Sequence, residues 1–286
     1  MKFKTIYLFF NMLLVTSFAI IIFMPFFMLG WDYVKVFWMR NWYLAAVFFL
    51  TLAVLNVYFL CKWKLFSFVE SENWSELRLY LERRVYEKKS SSRPAVRILI
   101  NTYIVLADTG GLMKLSRYLA ENKPRLFAVF ALDLGIPYIV RGVSSETRTY
   151  FEEALKNPRA RKRDWLRWNL AFARMACGGY EDREKAQEEL VLLVEKAEDP
   201  LVRLLSVYLL DRSIEKSDAG TQLTAAARAS LNVRESLKGM YTREKWEKIP
   251  GQAKDSLITL VLSKLLAEAE NWLFEEKTEE KTDGRV

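Results

Sequence analysis

The chain has 286 residues and no histidine. That absence removes the commonest general base, the usual serine or cysteine triad and nearly every zinc site. Cysteine is scarce too: Cys61 borders an apolar run and Cys177 lies inside a helical pattern. A disulfide framework is therefore not expected, and a reducing compartment suits the pair. There is no P-loop, dinucleotide fingerprint, kinase signature set or metal-ligand spacing. Asp108-Thr109-Gly110 spells the aspartic-protease triplet, but no second copy supplies the paired carboxylate that chemistry needs. The chain is expected to be no enzyme, with no cofactor and no metal.

Charge is missing from two long stretches. Residues 6–29 (Ile6 to Leu29) and 43–61 (Tyr43 to Cys61) hold none, and each is long enough to cross a bilayer core of roughly 30 Å. Lys2 and Lys4 resemble the start of a signal peptide. The first run exceeds the usual length of such a segment, however, and no A-x-A-like cleavage site follows it. Trp31, Trp38, Trp42 and Trp63 stand at the edges of the runs, as interface anchors do. The short link Gly30–Trp42 predicts an antiparallel hairpin, and Asn11 and Asn56 are placed to bond across it. Lys2, Lys4, Lys62, Lys64 and Arg78 flank the pair on one side, against Lys35 and Arg40 in the link. The positive-inside rule then puts both termini and the soluble part in the cytoplasm, on a multi-pass protein of the cytoplasmic membrane.

Net charge is +8, from 43 basic and 35 acidic residues. Residues 1–69 hold six basic side chains and one acid, so the membrane flanks own most of the excess and nucleic acid is not an expected partner. Arg159, Arg161, Lys162, Arg163 and Arg167 form the densest basic cluster. It suits an anionic lipid, a nucleic acid or an acidic protein patch, while a solvated loop between helices is the plainer reading. Arg83, Arg84, Lys88 and Lys89 make a second cluster close to the membrane, diluted by Glu82 and Glu87.

From Glu70 onward the apolar spacing is helical, with no convincing strand alternation. Asn73 with Glu76 has the spacing of a capping box, Pro94 suits a first turn, and Gly110-Gly111 is read as a helix stop. Gly135 and Pro137 are expected to end a helix at Leu134, and Ser144 or Ser145 to open the next. Helices are also expected at 164–177, 181–197, 201–216, 221–240 and 252–277. Trp165, Trp168, Phe172 and Met175 line one face of the 164–177 helix, and Leu166, Leu170, Ala173 and Cys177 another. A helix apolar on two faces must be covered on both. Cys177 is thus expected to be a small buried hydrophobe. Ile258, Leu262, Leu265, Ala269 and Trp272 repeat at four-three spacing, which suits a docked capping helix or, less readily, a partner-binding seam. The organisation expected is a hairpin over 1–69, a helical domain over 70–277 and a disordered charged tail over 278–286.

Tyr150 to Leu155 with Asn157-Pro158 resembles the second helix and closing proline of a tetratricopeptide repeat. Trp165, Trp168 and Phe172, then Ala186, Leu190, Leu193 and Asp199-Pro200, resemble the next unit, and Tyr103–Leu119 a poorer, earlier one. The family's period is about 34 residues; Pro158 and Pro200 stand further apart than that. The resemblance implies an all-α solenoid or bundle whose surface binds a protein. In general layout the chain also resembles the membrane-anchored repeat proteins of the spirochaete flagellar-motor collar. The function expected is a membrane-anchored scaffold or adaptor in a membrane-associated assembly, with lipid and protein as partners. The alternative is an accessory or regulatory subunit of a membrane enzyme complex. A sensor is disfavoured because only about a dozen link residues would face outward.

Overall fold

A computed structural model describes residues 3–87, 91–215, 233, 235–239 and 257–274. Every regular element among them is helical. Two compact units divide the chain, Met1–Leu106 and Ala107–Val286. Helices 74–82 and 93–105 thus group with the hairpin.

The first unit begins with α1 (Phe3–Leu29) and α2 (Trp31–Glu70). Gly30 alone separates them, at φ +81°, a conformation that costs glycine nothing. The link expected over 30–42 is therefore itself helical from Trp31, with one kink at Asn41. Tyr7–Met24 and Val34–Leu60 are long and apolar enough to cross a membrane, with mean hydropathies of 2.2 and 2.1. Neither window buries any residue within the protein. Apolar surface exposed on that scale calls for an apolar surrounding. Phe18 stacks on Phe48 at 4.2 Å and Tyr7 meets Phe59 at 5.2 Å, so the helices run antiparallel. The Tyr7 hydroxyl donates to Asn56 Oδ1. Asn56 does bond across the hairpin, but to Tyr7. Asn11 instead donates to the Tyr7 carbonyl of its own helix at 3.0 Å, the short-range bond most readily available to a polar side chain in a helix.

At the end of α2, Asn73 N–H reaches the Phe68 carbonyl and Glu72 N–H the Val69 carbonyl, with Glu72 left-handed at φ 52°. That is a Schellman turn. Asn73 also accepts from the Glu76 N–H at 3.2 Å, capping α3 (Trp74–Glu82) as its spacing predicts. A π-helical turn, Arg83–Glu87, and α4 (Arg93–Val105) follow. Leu77, Leu81 and Val85 are buried, as are Leu99, Ile100 and Tyr103 on α4.

The second unit holds α5 (Thr109–Asn122), α6 (Pro124–Val140), α7 (Ser145–Lys156), α8 (Arg163–Cys177), α9 (Tyr180–Lys196) and α10 (Pro200–Glu215). Two short helices, α11 (Leu257–Val261) and α12 (Ser263–Phe274), complete its described part. The helix expected over 221–240 falls largely outside the described residues, and the tail over 278–286 entirely so. Gly110-Gly111 does not stop a helix. It lies in the first turn of α5, because Asp108 accepts from the Gly111 N–H at 2.7 Å and caps that turn.

Nor do Gly135 and Pro137 end α6. Phe127, Phe130, Leu132, Leu134 and Ile136 of this helix are buried. Each contributes about 1.5–3 kcal/mol on burial, and together they outweigh the ~3 kcal/mol that an interior proline costs. Gly135 is there for closeness: a Cβ would fall 2.8 Å from Phe151 Cζ on α7.

Successive helices pack on one another from α5 to α10. Helix α8 touches α7 and α9, and also α6 and α10. The two-sided apolar pattern of α8 is thus explained, with Trp165, Leu166, Trp168, Leu170 and Ala173 all buried. Cys177 departs from expectation. It is exposed at the last turn of α8, its thiol donating to the Val143 carbonyl at 2.9 Å.

Candidate interaction surface

Four contacts in the second unit join residues 34 apart. Arg148 meets Asp182 at 2.7 Å, the Trp165 indole N–H donates to Asp199 at 2.8 Å, and Cys177 reaches Val143; each pair is 34 residues apart. The Glu198 N–H, 34 residues after Asp164, also approaches its carboxylate, at 3.4 Å. These four contacts join like positions of α6–α7 and α8–α9, and of the starts of α8 and α10. The prolines obscure the interval, since Pro158 lies in the loop before α8 whereas Pro200 starts α10. Two further ion pairs pin neighbouring helices, Arg174–Glu152 at 3.0 Å and Arg167–Glu189 at 3.3 Å.

The structure splits the basic cluster. Arg167 is spent on Glu189, and Arg163 donates to the carbonyls of Leu155 and Asn157, closing the end of α7. Arg159, Arg161 and Lys162 remain exposed on the α7–α8 loop. That loop is held firmly. Ala160 is buried, Arg161 N–H donates to Ala128 O at 3.0 Å, and Asn157 Nδ2 donates to Pro124 O at 3.3 Å. The last two bonds bring the start of α6 alongside, and with it Lys123 and Arg125. Five cations, from the α7–α8 loop and the start of α6, therefore lie along one edge of the unit. Lys123 and Arg125 escape a sequence reading because their neighbours in the cluster come from over thirty residues later in the chain.

The seam on the last helices is already occupied. Ile258 and Leu262 are buried, Leu265 is half-buried, and Trp272 packs on Tyr208 at 5.8 Å while donating to Asp211 at 2.7 Å. These residues pack α11 and α12 onto α6 and α10. Of the tryptophans placed at the membrane edges, Trp42 is exposed, Trp38 is half-buried, and Trp63 sits edge-on to Tyr7 at 5.9 Å. Trp31 opens α2.

Asp108 of the protease-like triplet serves as the cap described above. Among the described residues no three His, Cys, Asp or Glu side chains gather as a metal site. A cleft of about 190 Å³ lies at the end of α6, lined by Met113, Tyr138, Arg141, Gly142, Ser144 and Glu146. It is smaller than the roughly 300–1,000 Å³ typical of small-molecule pockets. Arg141 bonds Met113 Sδ at 3.1 Å across it. Burial raises the Tyr138 hydroxyl above its ordinary pKa, partly offset by nearby Arg117.

Fold and surface together define a membrane-competent helical hairpin followed by a bundle of stacked helical hairpins. The chain belongs to a family described as an uncharacterised Treponema protein, which matches residues 111–275. A relative from Treponema pallidum (strain Nichols), described as an uncharacterized protein, is 28% identical over 252 residues, spanning 86% of this chain and 78% of its own length. No solved structure matches the chain.

Proposed function

We propose that the chain is a membrane-anchored scaffold. The hairpin fixes the protein in the cytoplasmic membrane with both termini inside, and a tetratricopeptide-like stack presents a binding edge to another protein. The observation that carries this reading is the 34-residue interval of the contacts between hairpins, which equals the tetratricopeptide period. Stacks of that kind act through extended surfaces rather than enclosed pockets. The cationic edge of Lys123, Arg125, Arg159, Arg161 and Lys162 gives that surface its chemistry: it fits an acidic protein segment.

The test is purification of the native complex from membranes in a mild detergent. A stoichiometric protein partner is expected, and the triple variant Arg125→Glu, Arg159→Glu, Arg161→Glu is expected to lose it while keeping its fold by circular dichroism. Recovery of a lone chain under several mild conditions overturns the scaffold reading. The components recovered would also show whether the assembly is a flagellar-motor structure or a membrane enzyme complex.

A further inference from the structure

We infer that the helix pair α3–α4 forms a docking surface for an anionic bilayer, lying against the headgroups of the membrane that the hairpin crosses. The inference rests on the reading of the hairpin as membrane-spanning. Helices α3 and α4 belong to the same compact unit as that hairpin, so their placement follows from it. Helix α2 continues beyond the apolar window that ends at Leu60. The Schellman turn then reverses the chain, and the Tyr80 ring lies 5.9 Å from Phe68. The second half of α3 is therefore level with the last turns of α2 rather than beyond its tip. Phe68 stands about 12 Å along the helix from Leu60 at 1.5 Å per residue, near the roughly 8–10 Å reach of surface charge at physiological salt.

Basic side chains outnumber the acids Glu76, Glu82 and Glu87 on α3, the π-helical turn and α4. Arg83, Arg93 and Arg97 are exposed and Arg84 is half-buried. Among the described residues none of the four pairs with a carboxylate, in contrast with Arg148, Arg167 and Arg174 of the second unit. The first turn of α4 contains no acid, and Arg93 begins it. A cation at a helix N-terminus opposes the macrodipole. Arg93 therefore gains nothing from the dipole of α4, and a plane of phosphates would relieve the mutual repulsion of the four arginines. Exposed Leu79 and Val105 on the same two helices add apolar side chains suited to the headgroup boundary.

The full chain, with Cys61→Ser and Cys177→Ser, tests this. An Asn101→Cys variant carries a polarity-sensitive dye on the exposed face of α4 and is reconstituted in two kinds of vesicle. One is phosphatidylcholine alone, the other phosphatidylcholine with phosphatidylglycerol. The dye is expected to be quenched several-fold more by a lipid-borne quencher in the anionic vesicles. High salt, or the combined change of Arg83, Arg84, Arg93 and Arg97 to Gln, should abolish the difference. Equal quenching in both vesicles overturns the inference, as does a difference that survives the Gln changes. Carbonate-resistant flotation with neutral vesicles reports on the hairpin alone. A chain that floats yet shows no lipid dependence refutes the docking surface and leaves the anchor standing; a chain that floats with neither kind of vesicle refutes both.

Discussion

Buried tyrosines carry the clearest consequence at the scale of single residues. Tyr150 is buried between α6 and α7, stacked on Tyr138 at 4.5 Å, and donates its hydroxyl to the Ala131 carbonyl at 2.6 Å. Burial, before any other cause, holds its pKa well above the ordinary value. Tyr103 donates to Glu82 at 2.8 Å and is likewise raised, first by burial and then by Tyr86. For both, the folded state keeps a proton that the unfolded state releases above about pH 10. Their contribution to stability is thus complete below that pH and is lost progressively as pH rises from there toward the folded values. Alkaline titration followed at 295 nm should show these two tyrosines ionising only with unfolding, and Tyr150→Phe should flatten the alkaline fall in stability. An equally steep fall in that variant refutes the assignment.

Between elements, the links at the 34-residue interval differ in what they contribute. The Arg148–Asp182 pair is about one-third exposed, and pairs of that kind contribute roughly 0.2–1 kcal/mol. The Trp165 indole is buried at 4% exposure, so its bond to Asp199 is the costlier to break. Asp199→Ala leaves that N–H without its partner, at about 1–3 kcal/mol. Urea unfolding of the detergent-solubilised chain should therefore rank Asp199→Ala well below Asp182→Ala in stability. The reverse order shows that these links do not hold the hairpins in the way described. Sequence reading recognised α8 as an inner helix from Trp165, Trp168 and Leu170. It stopped α6 too early because Gly135 and Pro137 are breakers by local chemistry, and only the burial of Phe130 and Ile136 against other helices outweighs that.

For the whole molecule, the prediction concerns sides of the membrane. With Cys61 and Cys177 changed to Ser, a single cysteine replacing Val36 should react with an impermeant reagent on intact cells. One placed in the C-terminal tail should react only after permeabilisation. An externally reactive tail reverses the proposed orientation and puts both cationic surfaces outside. The expected orientation follows from the lysine and arginine counts on the two sides of the hairpin.

The apolar runs, the helical periodicity and the cap at Asn73 were legible in the sequence, because each depends on residues within a turn or two of one another. The antiparallel hairpin was legible as well, since only a short link separates its arms. What the tertiary structure decided depends on distance along the chain. It paired Tyr7 with Asn56, carried α6 through its proline, packed α11 onto α6 and α12 onto α10, and brought residues 34 apart together. It also tied Arg163 and Arg167 into the packing of neighbouring helices and brought Lys123 and Arg125 beside the rest of the basic cluster. Periodicity reports which face of a helix is apolar, but the identity of what covers that face is set by packing among all the helices at once.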